Sequence, residues 1–94
     1  MVKKNKFFVT DVFLSRKGYL ICGYVNSGFI ELGMFCNIDN KIRQIISIRD
    51  FNGKNKLYSL VRSNQKIMIE LNNNKDSYME GLVGQEIEFF EDFF

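Results

Sequence analysis

Two cysteines and a scatter of carboxylates are the residues that could do chemistry here. Cys22 and Cys36 are the only thiols, and no histidine stands anywhere in the 94 residues. A nucleophilic cysteine needs a base and a lowered pKa. Without histidine that base is missing, and a strand interior offers no helix N-terminus to help. Two thiols without histidine, and without a CxxC, also make a poor zinc site. Glu86, Glu88, Glu91 and Asp92 lie close in sequence, as a calcium site requires. They lack DxDxDG spacing and a glycine at the bend, so a charged outer strand face is the simpler reading. No pair of carboxylates is singled out as a glycosidase acid pair. The pattern asks for no catalytic residue, metal or cofactor.

The remaining chemistry is recognition. Thirteen bases meet seven acids over residues 1–85, a balance of +6, while residues 86–94, EIEFFEDFF, carry four acids and no base. Arg16, Lys17, Arg43, Arg49 and Arg62 are the candidate nucleic-acid contacts, with Lys41 and Lys54 beside them. Tyr19, Tyr24 and Tyr58 are available for stacking. A merely solvated surface competes with that reading. Leu20, Cys22 and Tyr24 form an apolar stripe on the outward face of the second strand. With Phe90, Phe93 and Phe94 they are the candidate protein interface, to a partner or to a second copy.

Strands must position these groups, because the apolar period is two rather than 3.6. Strands are expected at 6–14, 19–26, 34–39, 41–50, 66–71 and 85–90, with a short extended piece at 29–33 and another at 57–61. Phe7 and Val9 share a face; Val12 joins it only if a bulge lies near Asp11. Ile21, Gly23 and Val25 face one way in the second strand. In the fourth, Ile42, Ile46 and Ile48 are expected inward, with Arg43, Ser47 and Arg49 outward and Ile45 the exception. Turns are expected at 15–18, at 26–28, at Asp39-Asn40 and at the Asn-Gly signal of 52–56. Asp76 is a candidate cap for one helical turn over 77–80.

Six or seven short strands with no long helix give an all-β fold, a small closed antiparallel barrel. Closure removes edges that invite aggregation, and no proline is present to protect them. The chain reads as one barrel over 1–94, with 91–94 a short acidic, phenylalanine-bearing tail. No apolar run approaches the ~20 residues of a membrane span. With no signal-peptide pattern and two free thiols, a cytoplasmic location is expected.

Over Asp11–Ile38, DVFLSRKGYLICGYVNSGFIELGMFCNI, the pattern becomes specific. It resembles the second domain of the translational GTPases, the elongation factor Tu-like β-barrel. That family reads D-V-F, a turn ending in glycine, and an apolar strand with an embedded glycine. It continues V-x-x-G-x-[IV]-x-x-G-x-x-[VI]-x-[VI]. Gly18, Gly23, Val25, Gly28, Ile30, Gly33 and Ile38 fall at matching spacing, with Cys36 in the other late apolar slot. Ile46-Ser47-Ile48, Ile67–Leu71 and Gly84–Ile87 are similar to its later strands. The turn after Phe13 is one residue shorter than the family's. Cys22 and Tyr24 stand where the family commonly has threonine and arginine. No GxxxxGK[ST] loop is present to cradle a nucleoside triphosphate. The resemblance implies a stand-alone, non-catalytic module contacting RNA or the ribosome. The alternative is a protein-interaction or self-associating barrel. An enzyme working through carboxylates or lysine is the third reading.

Overall fold

Alternating side chains put one face of each strand into a common interior. A computed structural model describes residues 4–15, 18–52, 56–62, 65–72 and 80–91. The strands are β1 (Asn5–Ser15), β2 (Gly18–Ser27), β3 (Ile30–Glu31), β4 (Phe35–Ile38), β5 (Lys41–Asp50), β6 (Leu60–Val61), β7 (Lys66–Leu71) and β8 (Glu86–Phe89). Six of them form one antiparallel sheet in the order β4-β5-β7-β2-β1-β8. The sheet closes on itself where Phe35 and Phe90 exchange backbone hydrogen bonds of 2.8 and 2.9 Å. The protein is therefore all-β, a six-stranded antiparallel sheet rolled into a barrel. No helix among the described residues is long and apolar enough to cross a membrane.

The interior is aliphatic with two phenylalanines. Phe7, Val9, Ile21, Val25, Ile67, Ile69, Leu71, Ile87 and Phe89 are buried, and the rings of Phe7 and Phe89 meet edge to face. Ile30 of β3 and Val61 of β6 pair with each other and cover one end of this core. Leu82, in a short 3-10 turn over Glu80–Leu82, packs on the core beside Val9, whose backbone bonds to Gly84 and Gln85. Of the expected helical turn over 77–80, residues 77–79 and the cap Asp76 lie outside the described residues, and Glu80 instead opens the 3-10 turn.

Two glycines act through their backbone. Gly33 (φ 93°) sits in the turn that Met34 closes by donating to the Glu31 carbonyl. A Cβ on Gly23 would strike the Phe8 carbonyl oxygen and come within 3.2 Å of the Phe7 ring, so β1 lies directly on that backbone. Gly18 opens β2 opposite Ser15. Gly28 also has positive φ, at 69°. Asp39 and Asn40, at φ 55° and 63°, make the two-residue β4–β5 hairpin turn, whose primed geometry suits the twist of paired strands.

Besides a register shift between Lys6 and Phe7, two bulges further along β1 and β5 set which side chains face inward. In β1 the pairing steps from Val9↔Gly23 to Asp11↔Cys22, leaving Thr10 as the extra residue. Val12 then packs against the core, as the bulge expected near Asp11 requires. In β5 the pairing steps from Ile45↔Leu71 to Ser47↔Glu70, and Ile46 is the extra residue. That second step overturns the expected faces at Ile42, Arg43 and Ile46, while Ile48 faces inward and Arg49 outward as expected. Arg43, Ile45 and Ile48 are buried, while Ile42 and Ile46 are exposed.

Candidate interaction surface

The candidate site starts where the second half of β5 gains a neighbour. Asp50 donates to the Lys56 carbonyl at 3.0 Å, and Tyr58 donates to the Ile48 carbonyl at 2.9 Å. Residues 56–58 thus run along β5, with a bridge between Arg49 and Leu57. Leu32 donates to the Ser59 carbonyl at 2.8 Å and brings the β3–β4 turn against the same segment. The result is a surface groove of about 380 Å³ whose walls include Leu32, Ile46 and Leu57. These three side chains remain 47%, 50% and 68% exposed, although the groove gathers them together.

Polar groups stand at its margin. Arg49 donates from Nε to Ser47 Oγ at 3.2 Å, which holds the guanidinium along the outside of β5. Among the described residues neither of its Nη nitrogens is engaged, and the Glu70 carboxylate across from Ser47 has no ion pair. Lys56 Nζ lies 5.3 Å from the centre of the Tyr58 ring, and the Tyr58 hydroxyl accepts from Gln65 Nε2. One aromatic ring, two cations and an apolar wall therefore share one surface. Sequence reasoning had marked Arg49 and Tyr58 separately. It missed Lys56, Leu32, Ile46 and Leu57, since the bulge at Ile46 and the pairing of 56–58 with β5 leave no local pattern.

The other basic candidates divide. Arg43 is buried, 1% exposed, facing the interior opposite Cys36 on β4; it is no nucleic-acid contact. The bulge that turns Ile46 outward is what puts Arg43 inside. Arg62 is exposed and lies 5.6 Å from the centre of the Phe29 ring. Arg16 and Lys17 lie outside the described residues, as does Lys54.

The expected apolar stripe on β2 is also corrected. Cys22 does point outward, yet it is fully buried. Asp11 on β1 and Lys66 on β7 reach across β2 and pair at 2.7 Å. Lys66 Nζ also lies 3.9 Å from the centre of the Phe51 ring, and Thr10 Oγ1 donates to Asp11 at 2.9 Å. This bridge roofs the thiol. The hydrogen bond from Lys66, then that from Thr10, holds the Asp11 carboxyl below its ordinary range, and the same pairing raises Lys66. Leu20 is half-buried and Tyr24 is 37% exposed beside Phe8 at 38%, so an aromatic pair rather than a continuous stripe faces solvent. Phe90 stacks on Phe35, ring centres 6.4 Å apart, across the barrel closure; Phe93 and Phe94 lie outside the described residues.

Neither thiol is built to react. Both cysteines are free and buried. Burial, with a smaller push from the Asp11 carboxylate, raises Cys22 to about 11. Burial raises Cys36 to about 12 against the opposing pull of Arg43. No three His, Cys, Asp or Glu side chains among the described residues gather as a metal site would need. A second groove, about 300 Å³, lies where β4 and β8 diverge past the Phe35–Phe90 bridge, lined by Asn37, Asp39, Leu82, Glu86 and Glu88. Two of its three acids are already engaged: Glu86 with Lys6 at 3.5 Å and Asn26 at 2.6 Å, Glu88 with Lys4 at 3.8 Å. No protein-family model matches the chain, and no curated protein sequence matches it.

Proposed function

We propose that this chain is a non-catalytic binding module, similar to the second domain of the translational GTPases, whose partner is single-stranded RNA. One observation carries the reading. The Tyr58 ring, the Lys56 ammonium and the half-engaged Arg49 guanidinium share one surface beside β5. Bases stack on aromatic faces whatever their sequence, and cations beside the ring take the phosphates. The glycine geometry at 23, 28 and 33 is compatible with the family likeness, and the inert thiols give no support to an enzyme.

Fluorescence anisotropy with a labelled single-stranded RNA tests this. Two phosphate contacts predict that binding weakens roughly 5–10-fold on a fourfold rise in salt. Arg49→Ala with Lys56→Ala removes most of that salt dependence. Absence of binding at low salt, or binding indifferent to salt, overturns the RNA reading. A protein-interaction or self-associating barrel is the second reading, favoured by the exposed Leu32, Ile46 and Leu57. A stable dimer with no affinity for RNA selects it.

A further inference from the structure

Most of the groove beside β5 suits a nucleic-acid strand of any sequence. Glu70 is the exception. It lines the same groove as Arg49, Leu57 and Tyr58. Its carboxylate makes neither an ion pair nor a hydrogen bond with any described residue. Alternation along β7 fixes it there: Ile67, Ile69 and Leu71 are buried, so Glu70 takes the outward face. Its strand pairs on both sides, with Leu20 of β2 and Ser47 of β5 opposite Glu70. The bulge at Ile46 brings Ser47 into that place, and Arg49 Nε donates to Ser47 Oγ rather than to the carboxylate.

An unpaired carboxylate repels the phosphates of a bound strand. It becomes favourable only against a base edge that offers donors. An ionised carboxylate is acceptor-only, with two oxygens side by side. On the Watson–Crick edge, guanine presents two adjacent donors, N1–H and the N2 amino group. Adenine and cytosine present one donor beside a bare ring nitrogen, and uracil presents one donor between two carbonyl oxygens. Guanine alone meets both carboxylate oxygens with N–H groups.

We propose that Glu70 selects guanine. Its two oxygens accept from N1–H and N2–H of one unpaired guanine in the groove, while Arg49 and Lys56 take neighbouring phosphates. The inference rests on the RNA reading and adds a sequence preference to it.

Fluorescence anisotropy at low salt tests it, with labelled uridine strands carrying one central guanosine, adenosine or inosine. Adenine matches guanine in stacking area, and inosine lacks only the N2 amino group. The guanosine strand should bind about 10-fold tighter than the adenosine strand, within the range of a bidentate base contact, with inosine between them. Glu70→Gln should bring the guanosine and adenosine strands together, while affinity for an all-uridine strand holds or rises as the like charge goes. A merely structural role would weaken every strand alike. Equal affinity for guanosine and adenosine, or a guanosine preference that survives Glu70→Gln, overturns the inference and leaves the RNA reading intact. So does inosine binding as tightly as guanosine, a comparison that needs no variant. Absence of binding to any strand overturns both.

Discussion

The β1–β2 ladder and the β4–β8 closure hold the same barrel by different means. The first is a long antiparallel pairing with β1 pressed onto the bare backbone of Gly23. The second is one backbone bridge and one ring stack, after which the strands part into a groove. A barrel can thus be specified tightly along one seam and only pinned along another. Local stability should follow the same division, since long ladders over buried side chains open last.

The largest effect is expected at Gly23. Gly23→Val puts a side chain onto the Phe8 carbonyl and should cost about 3 kcal/mol or more, from the overpacking range, read by chemical denaturation. A transition unchanged by the substitution breaks the contrast at its stronger side. Arg43 comes next. Arg43→Ala should destabilise by about 2 kcal/mol, the low end for a large buried side chain cut to alanine. Any RNA affinity should be retained, because the residue faces the interior.

At the weaker seam, Phe90→Ala should cost about 1 kcal/mol for the lost ring pair. In hydrogen exchange the amides of Phe35 and Phe90 should open well before those of Val9 and Ile21. Equal protection at both seams would remove the distinction. The smallest effect concerns the pair that roofs Cys22. The Asp11 pKa is lowered by its hydrogen bond from Lys66, so its stabilisation is present above the unfolded value of about 3.9 and is lost as pH falls through the folded value. The raised Lys66 pKa gives stabilisation that is present below about 10.4 and is lost as pH climbs through its folded value. Asp11→Asn should therefore flatten a small acid loss of stability, and should let a thiol reagent reach Cys22 sooner at pH 8.

The two regions also differed in how much of them could be read from sequence. The β1–β2 half was legible because alternation and glycine spacing are local signals. Even its bulge showed, since Val12 has the wrong parity for Phe7. The bulge in β5 stayed hidden because isoleucines stand at 42, 45, 46 and 48, and apolar residues on both parities leave the inward face ambiguous. That one step exchanged Arg43 for Ile46 at the surface. Cys22 was misplaced for another reason. Its cover comes from Asp11 and Lys66, 55 positions apart in sequence, and no local periodicity reports such a pair. The groove likewise joins residues 32, 46–49, 57–58 and 70, which only the closed sheet brings together.

The most direct test of the account is an amide NMR titration of the full chain with single-stranded RNA at low salt. The account predicts shifts at Ile46, Ser47, Arg49, Leu57 and Tyr58, with Phe8 and Tyr24 on the opposite aromatic pair left in place. Shifts centred on Phe8 and Tyr24, or none at saturating RNA, would contradict it.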